Sequence, residues 1–393
     1  MSSVLIKEIG RVITGNTPSK SNRAFYASDD IGFIKPDMIG EDKITYIKSS
    51  REFISEQARS RARIAGNKAV CVTCIGIIGK IGIIDGGEYA FNQQINVIEP
   101  NEKVSSEYLA YCLLYNRNRL MHMANAPVVP IINKTQFENF QITIKDGREE
   151  QNKIVERLSK TVHALNMCKQ QMTHYELLIK ARFVELFGDP SINPKGWNEV
   201  NISEITSGKV SNGFFAKRSD YIKDGNVSVL GVANVVNRMY SQCKNLPKAY
   251  GTKSDIKKFQ VQYGDLLFCR SSLVAEGIGK ASVVPVNVPK GVLFECHVIR
   301  LVLDLEKCVP EYIQMLTTTD YYRKQIWAQS KTATMTTIGQ EGILKTNVLL
   351  PPVELQKQFL HVVQQTEKLK SITQKSINEL QLLFDSLMQK YFG

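Results

Sequence analysis

At 393 residues the chain is too long for one ordinary hydrophobic core, and 43% hydrophobic with 22% charged residues excludes a disordered polypeptide. Fifty Lys and Arg against 38 Asp and Glu leave a net charge of +12, which fits either a generally basic surface or a polyanionic partner. No apolar run reaches the ~18–20 residues that span a bilayer, the opening Met1–Glu8 lacks a signal peptide's apolar middle, and the eight cysteines are scattered; a cytoplasmic chain with reduced thiols and no membrane association is expected.

Residues 1–147 read as a first globular region of short strands between glycine turns. Val70 to Ile84 is rich in β-branched residues and is broken at Gly76, Gly79 and Gly82, while Asn92 to Ile98 alternates apolar and polar positions. Ser106 to Arg119 reads as a helix. Asp146-Gly147-Arg148-Glu149 resembles a capping box, and a long helix is expected over 148–188, stopped by Gly188-Asp189-Pro190.

That helix carries a heptad seam, Leu158, Leu165, Met172, Ile179 and Leu186, interleaved with Ile154, Cys168 and Tyr175. Its length is roughly 55 Å. A second globular region follows over 189–351, and Pro351-Pro352 favours a helix start for 352–393. The last helix presents Phe359, Val363, Ile377, Leu380, Phe384 and Leu387. Two helices with one apolar stripe each are expected to pair antiparallel; the alternative lays each on its own globular neighbour.

The two halves look like copies of one unit. Glu149, Gln151 and Ile154 correspond to Glu354, Gln356 and Phe359, Glu107-Tyr108 to Glu311-Tyr312, and Leu186-Phe187-Gly188 to Tyr391-Phe392-Gly393. Gly66-Asn67 aligns with Gly264-Asp265, which sets Arg270 against Val72. The expected class is α+β: two similar domains, each a twisted sheet with small helices, joined by two long antiparallel coiled-coil helices in a pseudo-twofold arrangement.

Catalytic signatures are missing. Gly277-Ile278-Gly279-Lys280-Ala281 lacks a phosphate loop's spacing and hydroxyl, and no Asn/Asp-Pro-Pro-aromatic run occurs. Cys71-Val72-Thr73-Cys74 has half a zinc site's spacing but no second half, so buried thiols are expected. Pro36-Asp37 with Glu41-Asp42-Lys43 is too compressed for a nuclease centre, and the five histidines are not paired at ligand or triad spacing.

Binding chemistry is present instead. The loop from Thr14 to Arg23 offers Lys20, Asn22 and Arg23, and Asn212 to Arg218 offers Lys217 and Arg218 in the second copy. Arg59, Arg61 and Arg63 are spaced for one face of an extended edge, or form a solvated patch. Lys35, Asn234, Arg238, Lys257, Arg270 and Lys331 complete the candidate DNA-contacting set. The hydroxyl-rich loop 331–337 differs from its counterpart 126–130, as two readers with different preferences would.

The Gly15-Asn16-Thr17-Pro18-Ser19-Lys20 run, the Gly264-Asp265-Leu266-Leu267 strand, Gly79-Lys80-Ile81-Gly82, the Leu349 to Gln356 helix entry and the Leu-Phe-Gly ending together resemble the specificity subunits of type I restriction–modification systems. The resemblance implies a non-catalytic subunit that binds double-stranded DNA, each domain reading half of an asymmetric two-part sequence while the helices set the gap. It implies two modification subunits and restriction subunits as partners, with S-adenosylmethionine, ATP and Mg on those partners and no cofactor here. A coiled-coil scaffold that touches no nucleic acid is the alternative.

Overall fold

The computed structural model describes residues 2–124, 129–332 and 334–393. Two compact units emerge, Met1–Lys169 with Lys375–Gly393, and Gln170–Gln374. The long helices run over Arg148–Phe187 and Val353–Phe392. Each helix therefore starts in one unit and finishes in the other.

In the first unit the strands Gly10–Thr14, Ile95–Pro100, Val70–Thr73, Ile81–Ile84 and Ile44–Ile47 form a five-stranded sheet in that order. All its pairs are antiparallel except the last. Val70–Thr73 and Ile81–Ile84 are buried along their whole length, which is why the β-branched run is unbroken by polar positions. A second sheet orders Phe53–Ile54, Ile31–Ile34, Glu88–Phe91 and Ile64–Gly66. The Cys71 and Cys74 thiols lie in the core, where burial pushes both pKa values up to about 12. The helix expected to reach Arg119 stops at Tyr115 and restarts at Arg117. Asn116 caps it: its backbone amide at 3.1 Å and its side-chain amide at 2.8 Å both donate to the Cys112 carbonyl.

The second unit repeats the plan, with Ser211–Asn212, Val298–Val302, Asp265–Cys269 and Ala281–Val283 in its four-stranded sheet. Backbone bonds fix the correspondence. The Thr73 amide donates to Lys80 as the Cys269 amide donates to Lys280, and the Ile132 amide donates to Cys74 as the Ile338 amide donates to Arg270. Arg270 is thus the counterpart of Cys74, not of Val72. The two-residue slip has a backbone cause. Lys68 (φ 68°) and Gly264 (φ 88°) are the matching left-handed residues, each with its amide on the facing strand, so Asp265 occupies the place of Ala69 rather than Asn67.

Within each unit the helix segments pair. Tyr175 Oη meets Thr373 Oγ1 at 3.5 Å, and Phe183 packs edge-on against Phe359 with centroids 5.5 Å apart, so the two helices run antiparallel along this seam. In the first unit Arg157 Nη1 donates to Tyr391 Oη at 3.1 Å, beside Ile154, Leu158, Phe384, Leu387 and Met388. Leu158, Leu165, Ile179, Phe359 and Val363 are buried, and Met172, Leu186, Ile377, Leu380, Phe384 and Leu387 are partly so. The heptad reading missed Phe183 and Phe187, which are buried while Leu186 is only partly covered. The seam drifts by one position there because a 3.6-residue helix does not hold a strict seven-residue repeat.

The helix ends also join the globular cores. Phe392 lies 5.2 Å from the Tyr108 ring, and Phe187 lies 4.6 Å from the Tyr312 ring. Each unit therefore packs the Phe-Gly end of the helix that began in the other sequence copy. At each helix start a fully buried glutamine ties down the entering chain. Gln151 accepts from the Ser105 amide and donates to the Lys103 and Lys145 carbonyls, while Gln356 accepts from the Val309 amide and donates to the Pro351 carbonyl. Both packing modes foreseen for the helices are thus present at once.

Two predictions follow from this packing. Phe392→Ala should cost about 3–5 kcal/mol and speed amide exchange in Ser106–Tyr115, whereas Phe187→Ala should do so in Pro310–Thr317. Exchange speeding in the same-copy helix instead would refute the exchanged ends. Asp265 is 4% exposed, and burial raises its pKa from 3.8 to about 6 despite the Gln262 amide and the Arg300 charge. A raised folded-state pKa means stability is greatest below pH 4 and is lost as pH rises through 6. Asp265→Asn should therefore stabilise the fold by roughly 1–3 kcal/mol at pH 7 and change it little at pH 4; melting curves at the two values check this.

Candidate nucleic-acid interface

Gly15 ends the first strand of its sheet where a Cβ would collide with the carbonyl oxygens of Phe91 and Asn92. Gly213 stands in the same relation to Phe294 and Glu295. Close backbone approach demands glycine at both places and launches a polar loop from each. In the first unit Asn16 then clasps the arginine segment: its Nδ2 donates to the Arg61 carbonyl at 2.6 Å, and its Oδ1 accepts from the Arg63 amide at 2.8 Å. Loop 15–23 and residues 59–63 become one surface.

Residues Glu56–Arg61 form a 3-10 helix, not the extended edge that the alternate spacing suggested. The Ala58 and Arg59 carbonyls accept from the Ala62 amide and close the turn, so Arg59 points elsewhere than Arg61 and Arg63. Arg59 is held by Glu56 and Glu88, and those two carboxylates raise its pKa further. Lys35 is likewise paired with Glu52. Lys20, Arg23, Arg61 and Arg63 are exposed and make no ion pair among the described residues. The Asn22 side chain accepts from the Ala24 amide at 3.1 Å and caps the short helix Arg23–Tyr26, so its acceptor holds the loop rather than waiting for a base.

An open groove of about 480 Å³ adjoins this surface, lined by Arg11, Arg63 and Lys134 among others, with Arg11 paired to Glu99 at 3.8 Å and Lys134 to Glu138 at 3.4 Å. Arg11 and Lys134 were not legible as candidates, because neither belongs to a charge cluster in the sequence. Only the sheet edge and the short helix Lys134–Glu138 bring them to Arg63.

The second unit gathers a different set. Ser271–Ser272, Thr336–Thr337 and Lys331–Thr332 form a small sheet directly after Arg270. Ser271 Oγ lies 2.7 Å from His297 Nδ1, and Arg270 Nη1 donates to the Cys296 carbonyl at 3.2 Å. Arg270, His297 and Lys331 thus share one hydroxyl-rich patch, and His297 was not foreseen there. Lys217 is exposed, with its amide donating to Asp220. The Arg218 side chain lies outside the described residues, as do 126–128 of the loop matched to 331–337 and Ala333 within the latter.

Asn234 spends its carbonyl on the Gly231 amide. Arg238 donates to the Val236 and Ala233 carbonyls and to Gln242, so it braces its own loop. Lys257 is exposed on the separate helix Lys253–Phe259. The sequence set therefore divides into exposed cations on the loops and residues consumed by local structure.

The profile described as Type I restriction modification DNA specificity domain matches residues 1–172 and again 194–382. The chain is similar to the type I restriction enzyme HindI specificity subunit of Haemophilus influenzae, 37% identical over 105 residues, which are 26% of this chain and 22% of that protein. It is similar at 23% identity to the type I restriction enzyme MjaIX specificity subunit of Methanocaldococcus jannaschii, over 98% of this chain and 91% of that one. The crystal structure of a type I restriction–modification S subunit from M. genitalium shares the fold, with a TM-score of 0.61 at 12% identity over 100% of this chain and 96% of that one.

The contrast between free and paired cations yields a test on DNA binding. Arg61→Ser and Arg63→Ser should each reduce the slope of log affinity against log salt by about one, the share of a single phosphate contact. Arg59→Gln should leave that slope in place. Equal effects from all three substitutions would show that the ion pairs do not sort these arginines.

Proposed function

This chain belongs to the type I restriction–modification DNA specificity family, and from that premise we propose that each unit reads one half of a two-part asymmetric DNA sequence on behalf of partner enzymes. The observation that carries the reading is the repeated framework with unlike loops. Gly15 and Gly213 occupy matching tight spots, yet the first launches a surface carrying Lys20, Arg23, Arg61 and Arg63, while the second unit offers Arg270, His297 and Lys331 among hydroxyls. Cations hold phosphates without regard to sequence, and amides and hydroxyls reach base edges; both kinds are present in each unit.

The chemistry belongs to the partners in this proposal. Methylation requires an adenine turned out of the stack into a pocket that holds S-adenosylmethionine, supplied by two modification subunits. Restriction subunits bring ATP and Mg. Apolar side chains exposed on the long helices, Leu177, Val184, Ile372 and Leu382 among them, support docking of modification subunits along these helices. The helix lengths then set the gap between half-sites. No helix is long and apolar enough to cross a membrane, among the described residues, and we place the complex in the cytoplasm with the DNA. The scaffold reading without nucleic acid has no support in the family to which the chain belongs.

Mapping methylated adenines in the genome of a host carrying variant chains tests the proposal. Exchanging residues 16–23 for the loop of another specificity subunit should change one half of the methylated sequence, and exchanging 331–337 should change the other half. A change in both halves from either exchange, or in neither, would overturn the division of labour.

A further inference from the structure

The two copies of one arginine differ in a way that duplication makes readable. Arg117 and Arg323 are counterparts: each follows the helix that bears Tyr108 or Tyr312, and each donates to the loop before Gly79 or Gly279, at the Ile78 and Glu276 carbonyls. In the first unit Arg117 also donates to the Glu41 carbonyl and forms a 2.8 Å ion pair with Asp42. Its neighbour Lys80 reaches Glu41 at 4.0 Å.

In the second unit the matching lysine, Lys280, donates to Asn237, so Asn237 stands where Glu41 stood and Arg238 stands where Asp42 stood. Acid has become amide and acid has become cation. Arg323 is left 7% exposed with Nη1 bonded to nothing, and Gln314, 4% exposed, has an unpartnered Oε1. Both line one cleft of about 460 Å³ within the second unit, where five lining side chains are cationic and three are glutamates. A buried guanidinium nitrogen without an acceptor, as at Nη1, costs a native fold free energy unless something else supplies one.

We propose that this cleft receives a carboxylate side chain from a partner protein, filling the place that Asp42 occupies in the first unit. It deepens the function proposed above, since the partner is one that docks on this chain, in the first instance a modification subunit. The carboxylate accepts from the Arg323 guanidinium, and a backbone amide of the same segment donates to Gln314 Oε1. Trp327, half exposed with its ring 5.5 Å from the guanidinium, forms one wall of the cleft and reports on its occupancy. A protein occupant fits better than a DNA phosphate. The glutamates Glu176, Glu276 and Glu367 oppose a chain of phosphates more than a single carboxylate, while Ile179, Met239 and Met315 suit an apolar residue beside the acid.

The test has two arms on the full chain. Acetate, added against chloride and phosphate at equal ionic strength, should shift Trp327 fluorescence, and Arg323→Gln should abolish the shift; Trp197, the other tryptophan, bonds the Phe187 carbonyl and lies outside the cleft. An equal response to phosphate, or none to acetate, would overturn a carboxylate site. In the second arm the chain is titrated with its modification subunit. Arg323→Gln and Arg238→Asp should each weaken uptake tenfold or more, the second because it places an internal acid where Asp42 stands in the first unit. Uptake indifferent to both substitutions overturns the cleft's role. Loss of DNA affinity at unchanged uptake assigns the cleft to phosphate and overturns it equally. Failure of the wild-type chain to take up modification subunits counts against the function proposed above, and the acetate arm still decides the cleft.

Discussion

The architecture rests on an aromatic ring from a helix end pressed against a buried tyrosine. Phe392 on Tyr108 and Phe187 on Tyr312 close the two cores, and in each case the phenylalanine arrives from the helix that started elsewhere. Aromatic pairs of this kind add to the burial of large apolar surface. Without them the Phe-Gly ends would leave a hydrophobic hole in each unit. Gln151 and Gln356 perform the complementary task at the helix starts, because a fully buried side-chain amide with satisfied partners fixes direction as well as position.

Much of this was legible in the sequence. The helix bounds could be read within a residue or so, since Gly147 and Gly188 take left-handed conformations that end regular structure, and the prolines at 351 and 352 cannot sit inside a helix. The doubled plan and the seam were likewise readable from periodicity. What failed was register. A Gly-Asn dipeptide matched by identity to Gly-Asp concealed that Lys68 adopts the positive φ that Gly264 adopts, and the residues of that strand up to Arg270 shifted by two, while Tyr108 and Tyr312 stayed in register. Identity is a poor guide where a backbone angle, rather than a side chain, is the shared constraint.

The candidate interface shows a second limit. A sequence displays charges but not their partners. Arg59 and Arg61 look alike in a row of alternating arginines, yet one lies between two glutamates brought from positions 56 and 88 and the other faces solvent. Arg11 and Lys134 sit far from the cluster in number and beside Arg63 in space, yet each is paired, Arg11 with Glu99 at 3.8 Å and Lys134 with Glu138 at 3.4 Å. Cations that matter for a polyanion are those left over after the fold has used the rest, and only the folded chain performs that subtraction.

The exchanged helix ends also bear on biogenesis. The first unit's core includes Phe384 to Phe392, and on the order of 200 residues separate these from Lys169, the last of its earlier segment. A nascent first unit emerging from the ribosome must wait, with the Tyr108 face uncovered, until Phe384 to Phe392 have been made. Folding of this unit is therefore coupled to synthesis of Phe384 to Phe392, and a product terminated before them exposes an apolar scar that quality-control machinery can recognise.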